Sequence, residues 1–194
     1  MAWDTEATRR KLLDAGARQF AALGCAGARM EAIGRDASVN KERVYRYFGN
    51  KQEFFAAVLS RELVTLLDGL TVSDSGPHGV ADFAGRMFDR FHDRPMLPRL
   101  LAWESLELEQ AVAIERRRPM CATTADSLRT ALPGMSRHDA EQLLFTIISL
   151  TVTWGLLPRV SDAVLTQPAP YAERREAIVS QAAALCRAYR ARQV

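Results

Sequence analysis

Apolar positions along the chain recur at intervals of three and four residues, and no segment sustains an alternation of apolar and polar positions. That periodicity predicts an all-α protein. Near the N-terminus, Leu13, Ala17, Phe20 and Ala21 share one face of a helix. Asp4 or Thr5 can cap its start, and Gly24 predicts its end. A short helix follows over Met30–Ala37, then a turn, Ser38-Val39-Asn40, and a third helix, Lys41–Phe48. Gly49-Asn50 breaks the chain before a longer helix from Lys51 towards Leu70. The Ser, Gly and Pro residues of Thr71–Gly79 predict a loop. Further helices are expected at Val80–Arg94, Met96–Glu107, Glu109–Leu132, Ser136–Leu157 and Tyr171–Arg192, about nine in all. Breaks fall at Pro95, Pro133-Gly134 and Pro158–Pro170. Ser136-Arg137-His138-Asp139 has the spacing of a variant capping box. Gln142–Trp154 is rich in β-branched residues, so a strand is the rival there, but its length and helical neighbours favour helix.

Composition narrows the class. At 194 residues, with 48% hydrophobic and 25% charged residues, the chain suits a soluble globular protein with a sizeable core. Cys25, Cys121 and Cys186 are far apart and odd in number, which argues against a disulfide framework or a zinc site. Each is expected to be a small buried hydrophobe. The N-terminus is acidic and is followed by no apolar stretch of the signal-peptide kind. The longest uncharged run, Gln142–Pro158, has 17 residues, short of the ~20 that span a bilayer. A cytoplasmic protein with no membrane partner is expected. Residues 1–60 hold 10 basic and 7 acidic side chains, so the whole net charge of +3 sits in the first third. A module that meets a polyanion, joined to one that does not, has this footprint.

The chemistry concentrates in residues 29–51. Two short helices joined by a tight turn form a helix-turn-helix outline with an inner face of Ile33, Ala37, Val39, Val44 and Phe48. At about 100° per residue, Val44 and Phe48 point inward together. The opposite face then carries Glu42, Arg43 and Arg46, flanked by Lys41, Tyr45 and Tyr47. Arg and Lys can bridge guanine O6 and N7 or neutralise phosphates, and Tyr can contact phosphate and sugar. Lys51 opens the next helix, where its charge and the backbone N–H groups can both meet a phosphate. A solvated charged helix is the bland alternative.

The string from Ser38 to Phe55, with its Tyr45-Arg46-Tyr47-Phe48-Gly49-Asn50-Lys51 run, resembles the recognition-helix signature of the TetR/AcrR family. The segment Arg9–Ala21 resembles that family's first helix, and Gly24, Ile33 and Ala37 stand in register with it. The resemblance is specific over residues 5–60. It implies a helix-turn-helix DNA-binding domain at 1–50 and an effector-binding and dimerisation domain at 51–194. It also implies that Lys41, Glu42 and Arg43 contact bases or phosphates, that Tyr45, Tyr47 and Lys51 clamp the backbone, and that Arg46 reaches either. Asn40 and Arg29 complete the expected DNA-binding set. Three departures stand out. Arg29 replaces a common capping Ser or Thr. Gly34 replaces the usual Ala, at a cost of up to ~1 kcal/mol in helix propensity. Ser38 replaces the usual turn Gly. Glu42 repels phosphates unless it accepts from a cytosine amine, so it is expected to set specificity rather than affinity.

For the other two-thirds, the resemblance implies a homodimer joined by the last two long helices. The expected seam is Leu144, Ile148, Thr151, Ile178, Ala182, Leu185 and Tyr189; the rival role is ordinary core. Met87, Phe91, Trp103, Met120, Phe145 and Trp154 are the expected lining of an apolar effector pocket, again with core as the rival. The partners implied are a palindromic double-stranded DNA operator, a second copy of the chain and a small-molecule effector. No cofactor, metal or catalytic residue is expected, because no dinucleotide-binding, Walker, zincin or nucleophile-elbow motif is present. A ligand-binding module without operator binding, and an activator rather than a repressor, are the alternatives.

Overall fold

The computed structural model describes the backbone from Ala2 to Ala191 and the side chains from Thr5 to Tyr189. The described residues form ten helices and no strand: α1 (Ala2–Gly27), α2 (Met30–Asp36), α3 (Lys41–Phe48), α4 (Lys51–Leu67), α5 (Gly76–His92), α6 (Met96–Glu107), α7 (Ile114–Ala131), α8 (Arg137–Leu156), α9 (Pro158–Val164) and α10 (Tyr171–Ala191). The side chain of Asp4 and the helix end expected at Arg192 lie outside the described residues.

Two compact units result: residues 1–65 with 96–114, and residues 66–95 with 115–194. Most of α4 and all of α6 therefore group with the helix-turn-helix, and the first unit is larger than residues 1–50. Its core is aromatic. Phe20 meets Phe54 and Phe55 edge-on, and Phe48 stacks on Phe54 at 4.0 Å. At Gly16 a Cβ would lie 2.9 Å from Val58 Cγ2, so the missing side chain lets α1 and α4 approach closely. In the second unit, α5, α8 and α10 pack on one another around Phe83, Met87, Ile147, Ile178 and Ala182, all buried. Gly85 plays the corresponding part there, because a Cβ would lie 2.9 Å from Val179 Cγ2.

Three boundaries differ from the expected pattern, and one that holds carries a further feature. Helical geometry is lost at Gly24 (φ 74°, ψ 177°), where the stop is expected, and a separate helical turn then runs on to Gly27. The break orphans backbone groups, and α6 satisfies them: Arg99 Nε and Trp103 Nε1 donate to the Ala21 carbonyl, and the Glu107 carboxylate accepts from the N–H groups of Cys25 and Ala26. α5 begins at Gly76 inside the expected loop, with Pro77 in the first turn, where its missing N–H is harmless. α7 begins at Ile114, five residues later than expected. The Pro158–Pro170 break contains α9, whose first residue is proline. Ser136 caps α8 as its spacing predicts, accepting from the Asp139 N–H at 3.1 Å. Of the three free cysteines, Cys25 and Cys186 are buried, but Cys121 is exposed and borders the groove between α7 and α8.

Candidate nucleic-acid interface

The turn between α2 and α3 shows why the departures at Gly34 and Ser38 belong together. Ser38 adopts a left-handed backbone (φ 57°), and the Val39 N–H then donates to the Gly34 carbonyl at 2.8 Å. This brings the Val39 carbonyl so close that a Cβ on Gly34 would lie 2.6 Å from its oxygen. Gly34 is thus the contact point of the turn, and its propensity cost is offset by that approach.

Asn40 caps α3 through its side-chain oxygen, which accepts from the Arg43 N–H at 2.9 Å. Gly49 ends the helix with φ 70°, and its N–H returns to the Tyr45 carbonyl. Asn50 and Glu53 then form a reciprocal box at the start of α4. The helix is braced from inside by Val44 and Phe48, both buried.

Its outer face is accessible, and its side chains divide into two groups. Glu42, Tyr45 and Arg46 are exposed, and Arg46 has no ion-pair partner among the described residues. Arg43 is half-buried and lies over the Tyr47 ring, 5.9 Å from its centroid. The others are engaged within the protein. Lys41 is paired with Glu31 of α2; that hydrogen bond holds the Glu31 carboxyl below its ordinary range and the Lys41 ammonium above its own. Tyr47 Oη donates to the Thr5 carbonyl at 3.3 Å. Lys51 Nζ donates to the carbonyls of Ala26 and Ala28, at 2.8 and 3.2 Å, and so caps the end of α1 rather than pointing outward. Arg29 is exposed at the N-cap of α2 and makes no side-chain cap bond.

Several members of this site were not among the residues expected from sequence. Arg9 lies over the Phe48 ring at 5.6 Å. Glu31 fixes Lys41 across ten positions of sequence, a distance that carries no local signal. The Asn50-x-x-Glu53 spacing, by contrast, is a readable capping signal.

In the second unit, the residues expected to line one effector pocket are dispersed. Met87 and Phe91 are buried in α5, and Met120 is half-buried on α7. Trp103 belongs to the first unit, where its indole donates to Ala21. Trp154 lies under the Arg174 guanidinium, 5.8 Å from it. Phe145 is 68% exposed and borders an open groove of about 640 Å³ between α7 and α8, with Leu144, Ile148, Arg118 and Pro119. Among the seven residues of the expected dimer seam, Leu144, Thr151, Ile178 and Ala182 are buried inside the protomer. They fill its own core because α8 and α10 both pack on α5. Leu185 is exposed, and Ile148 and Tyr189 are half-buried.

A small helical unit that presents a cation-bearing, tyrosine-flanked helix after a tight turn defines a helix-turn-helix DNA-binding regulator. Residues 12–58 match the profile described as bacterial regulatory proteins, tetR family, and residues 79–184 match that of the tetracyclin repressor-like C-terminal domain. The chain belongs to the TetR family of transcriptional regulators. It is 38% identical over 104 residues to the HTH-type transcriptional repressor SCO4008 of Streptomyces coelicolor, a match that spans 54% of this chain and 53%, about half, of that repressor. Its fold is that of the transcriptional regulator SCO4942 from Streptomyces coelicolor, with a TM-score of 0.76 and 30% identity over 92% of this chain and 97% of the other. FadR of Bacillus subtilis, solved in complex with stearoyl-CoA, shares the fold at a TM-score of 0.65 and 17% identity, over 92% of this chain and 97% of FadR.

Proposed function

We propose that this regulator is a cytoplasmic homodimeric repressor that occupies a palindromic operator and leaves it when a small molecule binds the second unit. The observation that carries this is the exposed face of α3, where Arg46, Tyr45 and Glu42 point to solvent on a helix fixed at both ends and braced by Val44 and Phe48. Residues 1–50 read DNA, and residues 51–194 bind effector and join the two copies. One helix-turn-helix reads one half-site, so selective binding takes two. Arg46 and Arg43 contact bases or phosphates, Tyr45 contacts the backbone, and Glu42 discriminates between sequences. Lys41, Tyr47 and Lys51 hold the helix in position through Glu31, Thr5 and the end of α1.

Repression is favoured by the 38% identity to a protein named as a repressor. A small effector is favoured by the match to the tetracyclin repressor-like C-terminal domain and by the acyl-CoA held in FadR. α4 continues from the first unit into the second, so it is the element through which effector binding changes the spacing of the two recognition helices. The effector releases DNA because it binds the released geometry better.

Fluorescence anisotropy with duplex DNA at several salt concentrations tests the proposal. Binding weakens as salt rises, and Arg46→Ala lowers affinity by about 1–3 kcal/mol while leaving stability within ~0.5 kcal/mol. Salt-independent binding, or an Arg46→Ala variant of unchanged affinity, contradicts it.

A further inference from the structure

The basic side chains of the helix-turn-helix are of two kinds. Only three of the chain's 26 basic residues are lysines: Lys11, Lys41 and Lys51. The two that fall within residues 29–51 are both held by the protein. Lys51 donates to the carbonyls of Ala26 and Ala28, and Lys41 donates to the Glu31 carboxylate. Arg29 and Arg46 of the same segment are exposed and have no ion-pair partner among the described residues.

Glu31 acts on Lys41 across two helices. It sits in the first turn of α2, and Lys41 opens α3. The packing of α2 on α3 brings the two side chains together. Arg29 and Arg35 attract the same carboxylate at longer range, but among the described residues only Lys41 is bonded to it. Both partners are accessible, 46% for Lys41 and 56% for Glu31, and a pair so exposed adds little to stability. Its consequence lies in charge. An unpaired ammonium at the start of α3 would neutralise a phosphate and release a counterion. Paired with Glu31, it brings no net charge to the polyanion. Moving Lys41 onto a phosphate exchanges one charge-assisted hydrogen bond for another. The move also strands a carboxylate beside the phosphates, which repel it, so little is gained.

We propose that Glu31 is a positioning residue that withholds Lys41 from DNA and so removes one phosphate contact from each helix-turn-helix. This rests on the reading of α3 as the DNA-facing helix. The arginines and Tyr45 then carry the binding. Arginine's planar fork suits bidentate recognition of a base edge better than the compact lysine ammonium does. The withheld contact carries no sequence information, so its absence weakens all sequences alike.

Fluorescence anisotropy on one mixed-sequence duplex, at salt from about 50 to 200 mM, tests the proposal. Wild type, Glu31→Gln and Glu31→Gln/Lys41→Met are compared, with a thermal melt of each. Glu31→Gln keeps the shape of the side chain and removes its charge, which frees Lys41. It is expected to bind more tightly at low salt. Its plot of log affinity against log salt is steeper by about 0.9 for each bound helix-turn-helix, an extra loss of about 3.5-fold across that range. The double variant has the net charge of the wild type and returns to the wild-type slope. An unchanged slope in Glu31→Gln overturns the proposal. A steeper slope that persists in the double variant also overturns it, because the effect then belongs to the lost carboxylate and not to Lys41. Weaker binding with a lowered melting temperature in Glu31→Gln overturns it too, and makes the pair a brace for α3. Wild-type binding that ignores salt overturns the reading of α3 itself.

Discussion

Removing the Glu107 carboxylate tests how the break in α1 is held. At Gly24 the helical ladder is interrupted, and the N–H groups of Cys25 and Ala26 donate to Glu107 Oε2 at 2.6 and 2.9 Å. Cys25 is 4% exposed, so water cannot replace its lost acceptor; leaving a buried donor unsatisfied costs about 1–3 kcal/mol. Ala26 is exposed, so its N–H is rehydrated at a net cost of about 0.5–1.5 kcal/mol. Glu107→Ala therefore destabilises the protein by about 1.5–4.5 kcal/mol. Glu107→Gln keeps an oxygen acceptor but loses the charge, and falls at about half that value. Glu109→Ala, an exposed neighbour beyond the helix end, changes stability by less than ~0.5 kcal/mol. Urea unfolding followed by far-ultraviolet circular dichroism reads these differences. Thermal melting reports the same order at about 2–4 °C per kcal/mol for a chain of this size. A Glu107→Ala variant within ~0.5 kcal/mol of wild type would refute the claim that α6 caps the break.

Other substitutions separate structural from DNA-facing roles. Lys51→Ala lowers stability by about 1 kcal/mol because it uncaps α1, yet leaves the salt dependence of DNA binding unchanged; a slope reduced by about one ion would instead place Lys51 on a phosphate. Glu42→Ala changes preference at one base pair of the bound sequence, as read by competition between duplexes, and an equal effect on all sequences refutes its role in specificity. Asp89 carries a pH signature. Burial opposes its charged form, but hydrogen bonds from Arg175 and Tyr171 outweigh burial and hold its carboxyl below the ordinary value. A lowered carboxyl contributes stability that is complete above its unfolded value and is lost as pH falls through the folded one. Asp89→Asn therefore costs about 1 kcal/mol at neutral pH, and its difference from wild type shrinks below about pH 4; a difference independent of pH contradicts this.

Much of this was legible in the chain because the signals are local. The 3.6-residue period located the helices, and the Tyr45–Lys51 run located α3. The capping spacing of Ser136 and Asp139 marked the start of α8. Contacts across long sequence distance were not legible. Gly24 reads as a stop signal and helical geometry is lost there, but the Arg99, Trp103 and Glu107 ridge of α6 that satisfies the groups on either side of the break lies some eighty residues away and carries no local signal. Lys51 has the charge of a phosphate ligand and the position of a helix cap, and geometry alone separates the two. The apolar stripes of α8 and α10 carry no mark of which side faces α5, so residues such as Ile178 and Ala182 read equally well as seam or core. α9 was hidden by the prolines at 158, 168 and 170, which suggest a loop although Pro158 suits a first helical turn.

The central claim is that the exposed face of α3 reads DNA as one half of a symmetric pair. Selection of bound sequences from a pool of random duplexes tests it most directly. The account predicts enrichment of inverted half-sites at one fixed spacing, lost when Arg46 is replaced by alanine. No enrichment, or enrichment that survives Arg46→Ala unaltered, would contradict it.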